Sequence, residues 1–313
     1  MQQWISNMSE AVNLRVCVIG LGSMGFGVAT SLLKKGFKAR GYDISAETTA
    51  RFVAAGGKGA ASPAEAADGA DVVVTVVVNG AQTEQVLFGE GGAARSMSKG
   101  GTILSFATMA PQAAEDLAQR AGTLGLNYID GPISGGAKRA AAGELTIMAS
   151  GRPEAFNHVR PVLDAIATTV YELGDRAGIG SSFKIVNQLL AGVHIAAACE
   201  AITFAKALGL DIDKIYEVIT ASAGNSWMFE NRVPHILQGD YSPQSAVDIF
   251  TKDLGIVSDL GRGLKFPLPI TSTALQMFIM TAAAGMGRDD DASVARLIAK
   301  VTGIELPGGP EAA

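Results

Sequence analysis

The sequence predicts an α/β protein: a Rossmann-type, doubly wound, mainly parallel sheet, followed by an all-α C-terminal domain joined to it by a long helix. Three observations carry this expectation. Up to Gly178, short apolar runs alternate with helical stretches, the pattern of a parallel sheet covered on both faces. The first such run, LRVCVIG, leads directly into a glycine turn, GLGSMG, and then into a helix. Beyond residue 179 the strand signal stops and only helical patterns remain. At 313 residues, and with roughly 150 residues per domain as a guide, two domains are expected. Residues 1–13 read as a flexible N-terminus and 14–178 as a dinucleotide-binding domain. Residues 179–303 read as a helical substrate and oligomerisation domain, and 304–313 as a tail.

Each element has its own justification. LRVCVIG is near-continuously apolar, as a strand buried on both faces requires. The helix after the glycine turn stops at Gly36, a residue suited to a helix C-terminus, and FKARGYD forms a second strand ending in Asp43. Residues 46–55 read as helix, DVVVTVVV (71–78) and GTILSFAT (101–108) as strands, and the stretch opened by Pro111 as a helix. LNYIDGPI (126–133), ELTIMAS (144–150) and TTVYEL (168–173) are expected to close the sheet, with a helix from Pro153 to Ala165. The helical half begins with 180–210 and continues with 211–222, 226–237, 245–263, 269–285 and 291–301. The long helix is apolar on nearly every side, which predicts burial all round. Lys184, Asn187, Gln188, His194 and Glu200 interrupt it, so a buried soluble helix is expected rather than a membrane span.

Composition narrows the function classes. Hydrophobic residues make up 48% and charged residues 18% of the chain, enough for large cores. A net charge of −5, without a basic stripe or interleaved aromatics, argues against a nucleic-acid binder. The two cysteines, Cys17 and Cys199, lie in apolar runs and read as buried reduced thiols, as in a cytoplasmic protein. MQQWISNMSEAVN lacks the basic region and apolar core of a signal peptide. Asp289–Asp291 lacks the alternating ligands and closing glutamate of a calcium loop. It reads as a solvated loop before the last helix, and no metal site is expected.

Chemistry concentrates in four places. In the first, Gly20 permits a tight turn, Gly22 lets a pyrophosphate approach the backbone, and Gly25 allows the helix to pack closely on the strand. Leu21, Ser23 and Met24 complete the loop, whose helix N-terminus offers unpaired N–H groups and a positive dipole end. Asp43 is placed to accept hydrogen bonds from a ribose, which favours NAD; Arg40 and Arg51 nearby leave NADP open. Ligands on such sheets collect at the strands' C-terminal ends, here Gly20, Asp43, Val77, Val78, Thr108 and the GPISGG turn. In that turn, Ser134, Gly135 and Gly136 can form a carboxylate-binding nest or simply a glycine-rich turn. Lys184 and Asn187 share a helical face; the lysine has a task there, or else a stem that packs while its head reaches water. Lys252–Asp253 taken alone reads as an exposed helical charge pair.

Together these stretches resemble the β-hydroxyacid dehydrogenase family, which includes 3-hydroxyisobutyrate dehydrogenases and tartronate semialdehyde reductases. The likeness runs from Val16 to about Ala299. VIGLGSMG is similar to the family's cofactor fingerprint, DGPISGGAKRAAAGELTIMASG to its substrate signature, and GSSFKIVNQ to its catalytic helix. The resemblance implies Lys184 as the general acid/base, assisted by Asn187, with Thr108 near the nicotinamide and Lys252–Asp253 facing the cofactor. Ala107 and Gln188 depart from the serine and second asparagine of many members, which alters the pocket and places Gln188 among the substrate contacts. KIVNQLLAGVHIAAACEA and SAVDIFTKDLGIVSD look most like the L-threonate dehydrogenase branch. That implies NAD-linked oxidation of a four-carbon sugar acid at C2 by a homodimer or homotetramer. Hydride transfer needs a base, and both burial and a positively charged nicotinamide favour the neutral amine of a lysine. Reduction of tartronate semialdehyde or oxidation of 3-hydroxyisobutyrate would use the same residues. A non-catalytic dinucleotide sensor would need neither Lys184 nor the serine-glycine turn.

Overall fold

The computed structural model describes residues 14–308. The expected flexible N-terminus, 1–13, and the end of the tail, 309–313, lie outside them. The chain forms two compact units, one reaching to Lys184 and the other starting at Ile185.

In the first unit, strands β1 (Val16–Ile19), β2 (Ala39–Tyr42), β3 (Lys58–Gly59), β4 (Val72–Thr75), β5 (Thr102–Ser105) and β6 (Asn127–Asp130) build one sheet in the order β3-β2-β1-β4-β5-β6. All pairings are parallel, with Val16 flanked by Ala39 and Val72. Side chains of a strand alternate between faces, and β1 shows why its run had to be apolar throughout. Val16 and Val18 enter one core with Leu32, Phe52 and Leu104. Cys17 and Ile19 enter the other with Leu87, Ile103 and Leu117. Five helices follow strands: α1 (Ser23–Lys34), α2 (Ala46–Ala54), α3 (Pro63–Ala66), α4 (Gly80–Phe88) and α5 (Pro111–Thr123). The first, second and fifth of these were legible; α3, α4 and the two-residue β3 are too short or too polar to show a period.

The later strands depart from expectation. ELTIMAS and TTVYEL do not extend the main sheet. Instead β7 (Ile133–Ser134), β8 (Leu145–Ala149) and β9 (Ala167–Glu172) form a separate three-stranded sheet, β7–β8 antiparallel and β8–β9 parallel. Gly131 and Pro132 end β6, since a proline cannot donate to a ladder, and the chain leaves the main sheet there. Two helices flank the small sheet, α6 (Gly136–Ala142) and α7 (Pro153–Ile166). The alanine-rich α6 packs so tightly on α1 that a Cβ at Gly27 would lie 2.8 Å from the Ala140 methyl. Ser31 Oγ donates to the Ala140 carbonyl at 2.9 Å across the same contact.

The second unit is helical. Helix α8 (Ile179–Ala207) brings most of its length to it, joined by α9 (Ile212–Thr220), α10 (Trp227–Gln238), α11 (Val247–Gly263), α12 (Pro269–Thr281) and α13 (Val294–Thr302). Ile195, Cys199 and Ile202 face a core with Leu254, Phe250 and Phe278, the last two stacked at 5.2 Å. Both cysteines are buried and unpaired, and burial pushes both thiols up. Contrary to burial on all sides, the opposite face of α8 exposes Val186, Leu190 and Phe204, each to half or more of its surface. The helix stretch expected to run to residue 285 stops at Thr281 and gives way to a π-turn in which Gly285 has φ 92°.

Asp289–Asp291 is not a solvated loop throughout. Asp290 and Asp291 are fully buried. Asp290 accepts from the Gln244 and Ala292 amides at 3.0 and 3.1 Å and contacts His235 Nδ1 at 2.9 Å. Asp291 pairs with Arg232 through Nε at 2.6 Å and Nη2 at 3.1 Å. Four residues thus tie α10 to the segment before α13. Burial pushes the Asp291 carboxyl up to about 6, more than Arg232 lowers it. A raised folded pKa means the folded state holds its proton longer, so this group's stabilisation is complete below the ordinary range of aspartate. It is lost as pH rises through about 6. Wild type should lose roughly 1 kcal/mol from this group between pH 5 and 7.5, a loss that Asp291→Asn should not show in urea unfolding. Equal pH slopes for the two proteins would refute it.

Candidate functional site

The glycine turn is held by the residue predicted to read a ribose. Gly20 has φ 89° and donates its N–H to the Tyr42 carbonyl at 2.9 Å. A Cβ at Gly20 would sit 2.6 Å from the Val76 carbonyl oxygen, and one at Gly25 only 1.8 Å from the Gly20 oxygen. A Cβ at Gly22 would meet nothing within 4 Å. The two outer glycines therefore shape the turn, and the middle one leaves open space beside the helix start, where a pyrophosphate needs to approach. Ser23, Met24 and Gly25 open α1, where first-turn N–H groups have no carbonyl of their own helix to pair with. No acidic residue occupies that turn.

Asp43 follows β2 and is already bonded: Oδ2 accepts from the Leu21 N–H at 2.6 Å and Oδ1 from the Ser45 N–H at 2.8 Å. It organises the loop, and each carboxylate oxygen keeps a lone-pair site. Leu21 itself is core, its side chain 1% exposed. Arg40, by contrast, points to the Glu65 and Asp68 carbonyls at 3.2 and 3.0 Å, and Arg51 stacks over Phe26. Val77 and Val78 follow β4 and Thr108 follows β5, so they occupy the C-terminal edge beside the glycine turn. The Val78 N–H donates to Gln82 Oε1 at 2.9 Å. Ala107 is buried in the core of this unit. Such a loop, with open space at Gly22, a carboxylate after β2 and an apolar shelf at Val77–Val78, fits a nicotinamide dinucleotide.

The GPISGG turn lies beyond β6. Ser134 ends β7 opposite Thr146, and Gly135 and Gly136, at φ 134° and 71°, start α6. Both glycines take positive φ, a backbone conformation that glycine adopts without a Cβ penalty, at the start of α6.

Asp130, which opens that turn, was not singled out by sequence as a site residue. It is fully buried at the end of β6. Its Oδ2 accepts from the Gly178 and Ser181 amides at 2.9 and 2.8 Å, and Oδ1 from Ser181 Oγ at 2.7 Å. Ser150 Oγ takes the Gly180 N–H at 2.9 Å. A Cβ at Gly180 would lie 2.3 Å from the Met148 oxygen, so only glycine lets the helix start this close to β8. A carboxylate thus caps the N-terminus of α8, where the helix dipole favours it. One turn further on, Lys184 is buried, with 7% exposure. Asn187 follows on the same helix at i+3.

In the second unit, Asn187 Nδ2 donates to Gln188 Oε1 at 3.0 Å, and Gln188 Nε2 donates to Asp253 Oδ2 at 2.5 Å. Lys252 Nζ lies 2.6 Å from Asp253 Oδ1. Lys252–Asp253 is therefore not an exposed charge pair: Asp253 is 1% exposed and bonded to α8.

Residues 15–174 match the family model for the NAD binding domain of 6-phosphogluconate dehydrogenase. Residues 178–298 match the model for the NAD-binding region of NADP-dependent 3-hydroxyisobutyrate dehydrogenase. An L-threonate dehydrogenase from Cupriavidus necator is 56% identical over 94% of this chain and 98% of its own length. The chain belongs to the 3-hydroxyisobutyrate dehydrogenase-related family of β-hydroxyacid dehydrogenases. Another relative in this family, an L-threonate dehydrogenase from Escherichia coli K12, is 45% identical over 96% of this chain and 99% of its own. The crystal structure of a Salmonella typhimurium 3-hydroxyisobutyrate dehydrogenase is 48% identical, with a TM-score of 0.87 over 91% of this chain and 100% of that one. The molecule is accordingly a hydroxyacid dehydrogenase that works with a nicotinamide dinucleotide, on a Rossmann-like sheet followed by a helical region.

Proposed function

We propose that this enzyme oxidises L-threonate at C2 to 2-dehydro-L-erythronate, with NAD as the acceptor and Lys184 as the general base. The observation that carries the proposal is Lys184 itself, buried on a helix that Asp130 clamps to the unit bearing the glycine turn. Bound nicotinamide supplies the hydride acceptor. Lys184 takes the proton of the C2 hydroxyl as the C–H bond breaks, and returns it in the reverse direction. Ser134 and the Gly135–Gly136 amides hold the carboxylate, and Asn187 keeps the hydroxyl and the lysine in line. Gln188 borders the substrate, and Val77, Val78, Thr108 and Lys252 border the cofactor. L-threonate is preferred over 3-hydroxyisobutyrate because relatives named for it match nearly the full chain at 45–56% identity. NADH formation with L-threonate, 3-hydroxyisobutyrate and other small hydroxy acids, and NADH consumption with tartronate semialdehyde, test the assignment. A higher kcat/KM for any of the others would replace it.

NAD rather than NADP follows from Asp43, because a carboxylate at this position repels a 2′-phosphate. Arg40 is committed to two carbonyls elsewhere. Asp43→Ala should reduce the preference for NAD over NADP by about tenfold or more, a difference of about 1.4 kcal/mol. Unchanged selectivity in the ratio of kcat/KM values would refute the role.

The assembly is proposed to be a homodimer or homotetramer in the cytoplasm. Val186, Leu190 and Phe204 form an apolar stripe on α8 at helical spacing, continued by Leu208 just past its end, and stripes of this kind mark association surfaces.

A further inference from the structure

The chain of side chains in the second unit has a direction. We infer that Asp253 is a positioning residue, fixing through Gln188 which end of the Asn187 amide is presented to the reacting groups. The inference rests on the reading of Asn187 as Lys184's assistant, and it adds the device that orients it.

The argument is one of donors and acceptors. An ionised carboxylate has no proton to donate, so only the NH2 end of Gln188 can face Asp253 Oδ2 at 2.5 Å. The carbonyl end, Oε1, is then fixed on the other side. Oε1 in turn accepts only, so the group 3.0 Å from it must be the Asn187 NH2. Asn187 is left presenting Oδ1. Two consecutive amides that could each flip freely are thereby locked in one sense by a single charge. Lys252, 2.6 Å from the other carboxylate oxygen, neutralises that charge in a site where Asp253 is 1% and Gln188 6% exposed. Such buried networks hold one arrangement only when each member is satisfied. The presented Oδ1 accepts from an N–H or O–H, which suits a lysine that alternates between amine and ammonium and a hydroxyl that must aim its proton at it.

Asp253→Asn removes the polarity, since an amide at 253 can turn either end to Gln188. Gln188→Met interrupts the relay while leaving Lys252 and Asp253 together. Each should lower kcat about tenfold, with NADH binding, read by protein fluorescence quenching, close to wild type. Asn187→Ala should lower kcat further. The deciding measurement is a double-mutant cycle: Asp253→Asn on the Asn187→Ala background should cost nothing more in kcat, because the relay through Gln188 already ends at a residue that has been removed; any effect through Lys252 would show in NADH binding. Additive losses, or wild-type kcat in Asp253→Asn, would overturn the inference. If Asp253→Asn does not fold, Gln188→Met on the same background decides by the same criterion. Wild-type turnover in Asn187→Ala would instead sink the underlying reading of Asn187, and the inference with it. An impaired Asn187→Ala with an additive cycle sinks the inference alone.

Discussion

Lys184→Ala should lower kcat by about 10²–10⁴-fold, the range for loss of a positioned acid or base, while NADH binding stays nearly intact. Alanine is the best helix former, so α8 should persist through the substitution. Asp130, Ser150 and Ser181, which fix its start, are untouched. The glycine turn and Asp43, the proposed cofactor contacts, belong to other elements. Lys184→Arg makes the test sharper. A guanidinium keeps the positive charge and much of the stem, but it does not deprotonate in proteins. If the lysine acted only by attracting the substrate carboxylate, arginine would retain much of the rate. If it acts as a base, arginine should be nearly as poor as alanine. Retention of more than about a tenth of the wild-type rate by Lys184→Ala would remove the assignment; the expected loss for general acid–base catalysis is far larger.

What the sequence made legible, and what it hid, follows from the range of the forces involved. The strand β1, the glycine turn and Asp43 are neighbours in a single βαβ unit, and their signals are local: alternate burial, a positive φ, an acidic residue after the second strand. The structure adds that Asp43 holds the Leu21 amide, so the expected ribose contact is also the brace of the turn. Helix α8 was legible as an element because of its length. Its exposed stripe was not, since apolar composition looks the same whether a face meets a core or a missing partner. The small sheet was misassigned because β7 is two residues long and pairs antiparallel with a strand beyond the intervening α6. The partners of Asp130 lie 48 and 51 residues away, and that of Gln188 lies 65 away. Asp253 and Asp291 read as solvated because the groups that receive them in the interior, Gln188 and Arg232, lie 65 and 59 residues away. Their burial became intelligible only with Gln188 and Arg232 in place.

The Asp130 clamp supplies the second large effect. Asp130→Ala leaves three buried donors without their acceptor: the Gly178 and Ser181 amides and the Ser181 hydroxyl. With about 1–3 kcal/mol for each buried group left unsatisfied, the unfolding free energy should fall by about 3 kcal/mol or more. The loss should also be local. Hydrogen exchange should accelerate at residues 178–184, and kcat should fall because the helix turn that carries Lys184 is no longer fixed. Asp130→Asn should behave differently. Its carbonyl oxygen can take both amides, and its NH2 can donate to the Ser181 hydroxyl oxygen, so of the three donors only that hydroxyl's proton loses its acceptor. Burial pushes the Asp130 carboxyl above the usual carboxylate range, more than its three hydrogen bonds lower it. By linkage, the stabilisation from this group is present below that range and is lost as pH rises through the folded value. Asparagine has no such loss, so its disadvantage relative to wild type should shrink as pH rises. Equal tolerance of alanine and asparagine in chemical unfolding, with unchanged exchange at 178–184, would show that the clamp does not hold the helix.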